Sequence, residues 1–329
     1  MMTKIKLDII SKYRQAFMGL AIFWIFFYHT GVDMPVLREL FAMGWMGVDI
    51  FFFVSGYGLC ASLSKNCSVK SFFWRRFIRI MPTWWIILTL MAIVGAIVIK
   101  GGGYPNSTYD YFYWYTGLGW WTGNCNFEWY IPTLIVFYLA APLLARQRLR
   151  NLAILFSVSV LLAVVFGYFR IFQYVYMSYS RIPIFVSGFL AYKYQAQNLM
   201  VKTGIWFPLC VLGVVWFALG MCIKLYDVTF GFTIARVAIP LFIVPMLCII
   251  GFVISRLKPI ETILSFLGLI SLEVYLLHIN HEFSEFVKNT LLVGVHEYLI
   301  KMTWFAMVLG AGLALHLIIE KLNKYKRAK

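Results

Sequence analysis

Charge is what this sequence most lacks. Only 13% of its 329 residues are Asp, Glu, Lys or Arg, about half the share in a soluble domain, and 13 residues in all are acidic. A chain that is 62% hydrophobic has almost no surface to offer water, which argues against a soluble globular protein. Cysteine is scarce as well. Cys60, Cys67, Cys125, Cys210, Cys222 and Cys248 form no CxxC and no paired spacing, so neither a zinc site nor a disulfide framework is indicated. No Walker motif is present, which speaks against ATP-driven chemistry within the chain. Internal repeats, low-complexity tracts and a soluble domain are missing too. No small-residue cleavage site follows the basic N-terminus, so the first apolar stretch reads as an uncleaved span that also targets the chain.

What is present is one apolar run after another. A helix needs about 20 apolar residues to cross a bilayer core, and ten segments qualify: 16–33, 45–64, 80–99, 128–146, 150–168, 181–197, 205–224, 232–254, 262–280 and 299–319. Only helices are expected, because lipid cannot satisfy exposed backbone. The expected fold is all-α: a polytopic transmembrane bundle of about ten spans, forming one domain over 1–329. Pro82, Pro132, Pro142, Pro183 and Pro240 fall in or near spans, where proline is tolerated.

Charge orients the bundle. With the N-terminus inside, 21 of the 29 basic residues fall on the inner side. The other eight are Arg38, Lys100, Arg170, Arg181, Lys224, Arg236, Lys288 and Lys301. That asymmetry predicts both termini in the cytoplasm and an even number of spans. The net charge of +16 then reads as loop lysine and arginine beside anionic lipid; no nucleic-acid partner is expected. The longest outer loop, 100–127, holds Trp114, Trp120 and Trp121 and is either an interfacial aromatic belt or a carbohydrate platform.

Ionisable groups inside spans are costly and mark function by default. His29, Asp49, Glu128, Arg181, Arg236, Glu273 and His278 all fall toward the outer leaflet, as one outward-facing polar cavity would require. His29 has the titration range of a general base. Asp49 and Glu128 either tune that imidazole or pair with Arg181 and Arg236 to neutralise buried charge. On the inner side, "FFWRRFIRIMP" carries Arg75, Arg76 and Arg79, and the i, i+3 pair Arg76 and Arg79 suits a phosphate-rich ligand.

These blocks resemble the acyltransferase 3 family of membrane O-acyltransferases over nearly the whole chain. "RQAFMGLAIFWIFFYHTG" looks like its first helix, ending in the catalytic histidine, here His29. "GVDIFFFVSGYGL" is similar to its most recognisable block. "RRFIRIMPTWW" resembles its cytoplasmic Arg-x-x-Arg segment, and "FEWYIPTLIVFYLAAPLL" its Trp-containing helix. "SRIPIFVSGFLAY" and "FLGLISLEVYLLH" match two further blocks in the right order.

The resemblance implies transfer of an acyl group, most often acetyl, from acyl-CoA as co-substrate to a hydroxyl of a carbohydrate or other small acceptor. It implies a multi-pass protein of the inner (cytoplasmic) membrane, with no permanently bound cofactor and no metal. His29 would be base or acyl carrier, with Asp49 and Glu128 beside it. Arg75, Arg76 and Arg79 would hold the nucleotide phosphates. Arg181, Arg236, Trp129, Tyr275 and His278 would form the acceptor side. One position departs: family members often carry a cation eleven residues before the histidine, where this chain has Met18. Arg14 is fifteen residues before His29, about 22 Å along a regular helix, and out of its reach. A transporter of a sugar or lipid-linked intermediate is the competing reading, since it too needs a polar cavity.

Overall fold

The computed structural model describes residues 4–5, 7–30, 37–65, 68–98, 107–123, 129–199, 201–279 and 297–328. The main helices are α1 (Arg14–Thr30), α2 (Gly47–Leu63), α3 (Val69–Val98), α4 (Tyr130–Arg146), α5 (Leu149–Tyr168), α6 (Ile182–Ala196), α7 (Thr203–Ile223), α8 (Val228–Ala238), α9 (Ile243–Arg256), α10 (Lys258–Leu269), α11 (Ser271–His278) and α12 (Glu297–Ala328). The one pairing of extended backbone among the described residues is a two-residue antiparallel bridge, Lys4–Ile5 with Val201–Lys202.

Each of the ten apolar segments is helical where it is described, and two of them are bent pairs. α8 and α9 meet at 61°, α10 and α11 at 65°. Pro240 sits in the 3-10 turn between α8 and α9, where its missing N–H does no harm. By length and composition, five helices qualify as membrane crossings, or seven when each bent pair is one crossing. α1 and α4 have 17 residues each and α6 has 15, short of the usual span.

The helices sort into an inner and an outer set. Of the best 18-residue window in the α2 segment, 72% is buried, against 11% for α5 and for α7. An apolar helix that is exposed all round faces lipid. α5 and α7 therefore lie outside, while α1, α2 and α6 form the interior and α10 packs on α1 through its Leu267–Gly268 end.

Glycine sets how closely the interior helices approach. A Cβ on Gly19 of α1 would run into the carbonyl of Leu264 on α10, and one on Gly268 into the carbonyl of Gln15. Gly56 of α2 meets Phe185, and Gly188 of α6 meets Phe53, in the same reciprocal way. Lipid tails are as apolar as leucine, so such backbone-close packing is what holds helices together in a bilayer. Valine at Gly268 is expected to separate α1 from α10 and cost more than the roughly 1–3 kcal/mol of ordinary overpacking. Alanine at Gly310, whose Cβ position has nothing within 4 Å, serves as the neutral control. Melting temperature and monodispersity in detergent check both.

Candidate active site

Glu128 lies outside the described residues. The other six deep polar residues divide into three contact groups, not the single cavity their shared depth suggested.

The first group closes over the end of α1. His29 is exposed and His278 is buried, and Nδ1 of His29 lies 3.1 Å from Nε2 of His278. Nδ1 of His278 in turn lies 3.1 Å from the Val274 carbonyl, one helical turn back. A carbonyl only accepts, so Nδ1 of neutral His278 carries the proton and its Nε2 is an acceptor. His29 must then donate from Nδ1. That leaves Nε2 of His29 with a bare lone pair, the form a general base needs.

The second group is a buried ion pair. The Asp49 carboxylate is 0% exposed, and its Oδ1 is 3.2 Å from Nε of Arg181. Arg181 also donates to the Met177 carbonyl at 3.1 Å and lies 4.5 Å from the ring of Trp129. Arg236 is boxed by the rings of Trp45, Tyr176 and Phe232 at 5.6, 5.0 and 5.0 Å. No hydrogen bond or ion pair joins Asp49 to His29 among the described residues. Of the two roles open to Asp49, the contacts are those of charge neutralisation. The reason is positional: Asp49 lies in the first turn of α2, which packs along α6, directly preceded by Arg181.

The third group was hidden from sequence. Glu273, 0% exposed, accepts from Arg79 Nη1 at 2.7 Å and faces His316 Nδ1 at 3.2 Å. Arg79 also donates to the Leu269 carbonyl at 3.2 Å. Sequence reading put Glu273 in the outer set and Arg79 in the inner one. The 65° bend between α10 and α11 brings the carboxylate down to the arginine. Arg79 is thus held by a carboxylate, unlike the free phosphate-binding partner of Arg76 that the i, i+3 spacing suggested.

A cavity of about 400 Å³ is lined by Arg79 and His316 of the third group and by no residue of the first two. Arg14, Met18 and Arg76 line it toward one end; Arg79, His316 and Tyr275 also face it. The Tyr275 ring lies 5.5 Å from that of His278, so the cavity wall touches the histidine pair. Arg76 stacks over Phe72 and Tyr138 at 5.6 and 5.8 Å. Nε of Arg14 and Nε of Arg76 are both buried without a hydrogen-bond partner. Arg14 lies over Gly58, where a Cβ would stand 2.9 Å from its Cζ. A second cavity, about 700 Å³, shares Arg14 and adds Lys65, Arg75, Ser68 and Ser71. Arg75 and Arg76 therefore face different cavities, with Arg14 between them.

Sequence reading passed over His316 and set Arg14 aside. The signal for His316 was an ionisable residue within the apolar run "LALHLII". Arg14 is as far from His29 as helix geometry requires, and what it gains is a place beside Arg76 at the other end of the cavity.

Residues 17–319 match the family model described as Acyltransferase domain. That match takes in the helices from α2 to α11 whole, almost all of α1, and the histidine pair with both buried carboxylates. No curated protein and no solved structure matches the chain.

Leucine at Asp49 or at Arg181 alone is expected to cost about 3–5 kcal/mol, because each leaves the other charge buried and unpaired. The double variant, which removes both charges, should recover most of that loss. Thermal melts of the four proteins in one detergent measure the coupling; additive losses would contradict a pairing role.

Proposed function

The chain belongs to the acyltransferase 3 family, a membrane acyltransferase, and from that premise we propose that it moves an acetyl or other short acyl group from cytoplasmic acyl-CoA to a hydroxyl acceptor. The acceptor is a carbohydrate or similar small molecule reached from the opposite side of the cytoplasmic membrane. In this reading the ten helical segments are ten crossings with both termini inside.

The observation that carries the reading is the fixed tautomer of His29. Its Nε2 stands open at the end of α1, and the Val274–His278–His29 chain keeps the proton on the other nitrogen. An acceptor hydroxyl placed there gives its proton to Nε2 as its oxygen attacks the acyl carbonyl. The C–S bond breaks and the sulfur leaves as thiolate. Positioned general bases of this kind contribute about 10²–10⁴-fold.

The donor belongs at the other end. Arg14 and Arg76 each bury a guanidinium Nε without a partner beside the cavity. Charge-assisted bonds to phosphate oxygens would satisfy them. Lys65 and Arg75 line the neighbouring cavity and extend the positive surface. Arg79 serves differently: by holding Glu273 it fixes the wall between the two ends. Arg14 takes the part that a cation at position 18 has in other members, acting from the cavity mouth. On the acceptor side, Tyr275 borders the cavity with His278 packed behind its ring, and Arg181, Arg236 and Trp129 form a buried frame.

The transporter reading gains nothing from the bends. Transporters carry broken helices at corresponding places in two halves, whereas α8–α9 and α10–α11 follow one another directly in the chain.

His29→Ala is expected to lower acetyl transfer at least about 10²-fold with expression unchanged. Mass spectrometry of cell-surface glycans, with and without the active protein, reads this as an acetyl-sized mass difference. Arg76→Ala should instead raise KM for acetyl-CoA about tenfold with a smaller change in kcat. Undiminished transfer by the His29 variant would remove the assigned base.

A further inference from the structure

The cavity is lined by an imidazole, that of His316, whose geometry the reaction above does not use. His316 is in the last helix, α12, one turn beyond Gly312. A Cβ on Gly312 would stand 3.1 Å from Val274 Cγ2 and 3.7 Å from Glu273 Cβ, so this glycine is where α12 crosses α11. The crossing delivers Nδ1 of His316 to within 3.2 Å of Glu273 Oε1. Glu273 is itself held at 2.7 Å and 3.5 Å by the two Nη atoms of Arg79. A carboxylate accepts only, so Nδ1 of His316 is protonated, and in the neutral ring Nε2 carries the lone pair. The ring is one of the residues facing the 400 Å³ cavity. An imidazole with one nitrogen fixed by a buried carboxylate, on the wall of a cavity, is an arrangement that suits a nucleophile.

We propose that His316 is an acyl-accepting residue: its Nε2 takes the acyl group from the donor before the group reaches the acceptor. This rests on the acyl-CoA reading given above. In the first step Nε2 attacks the thioester carbonyl. A C–N bond forms, the C–S bond breaks, and the electron pair leaves on sulfur as thiolate. In the second step the acceptor oxygen attacks the acyl-imidazolium. The C–O bond forms, the C–N pair returns to Nε2, and the acceptor proton passes to Nε2 of His29. Both histidine sites are anchored on α11. Their anchors, Glu273 and His278, are five residues apart on α11, about 7.5 Å along its axis. Tyr275, which faces the cavity, lies between them in the helix. Arg79 and Glu273 are positioning residues for this step.

Exchange of label between free CoA and acetyl-CoA isolates the first step, since it needs no acceptor. The full chain in detergent is given acetyl-CoA and isotopically labelled CoA. Wild type should exchange, and peptide mapping should place an acetyl-sized adduct on His316. His316→Asn, whose amide nitrogen can keep the bond to Glu273, should melt as wild type does and lose exchange by at least about 100-fold. His29→Ala should retain exchange while losing transfer to surface glycans. Full exchange in His316→Asn overturns the proposal, as does loss of exchange in His29→Ala with the adduct mapping to His29. Glycan transfer by wild type without any exchange also overturns it, while leaving the acyltransferase reading intact. If acetyl-CoA is not consumed with or without acceptor-bearing membranes, the donor assignment fails and the relay with it.

Discussion

A carboxylate with no exposure at all, in the interior of an apolar bundle, must be paired. Glu273 meets that demand with Arg79 from α3 and His316 from α12, so one ionised oxygen pair ties three helices that are far apart in sequence. Breaking such a pair costs several kcal/mol, because the remaining charge cannot reach water. That tie lies just past the bend between α10 and α11, and two of its members, Arg79 and His316, line the cavity. Asp49 and Arg181 do the same for α2 and α6. The bundle is therefore fastened at two polar points, with apolar contact and close glycine crossings between them.

The cavity and the histidine pair behind its Tyr275 wall differ in their electrostatics. Guanidinium groups whose Nε atoms lack partners line the cavity; behind Tyr275 are imidazoles joined in a chain to a backbone carbonyl. Cations suit an anionic donor and a neutral base suits a hydroxyl acceptor.

Much of this was legible in the sequence. Apolar runs located the helical segments, because lipid leaves helix as the economical way to satisfy backbone. The blocks around His29 and Asp49 pointed to the family over almost the full chain. What stayed hidden was partnership. Glu273 and Arg79 are 194 positions apart, and nothing in local pattern says which of several arginines a buried glutamate will find. Depth counted along straight spans also misled, since a helix broken at Ile270 brings its outer residues inward. Leaflet depth left Asp49 open to His29 or to Arg181 and Arg236, and only the packing of α2 on α6 shows the contact with Arg181. His316 needed no structure to be noticed, only the same suspicion of a polar residue in an apolar run that singled out the others.

The inner helices are short. α1 rises about 25 Å and α6 about 22 Å, while α3, at 30 residues, rises about 45 Å. Short helices at the centre of a taller rim leave less hydrocarbon between the two aqueous faces than the surrounding bilayer has. For a polar group, the length of the low-dielectric gap governs the cost of crossing. The protein carries its own thin membrane at its centre, and a mismatch with lipid at the taller rim reaches that centre through the helices packed between them. The thickness of the host bilayer thus becomes a load on the same helices that hold the histidines in register.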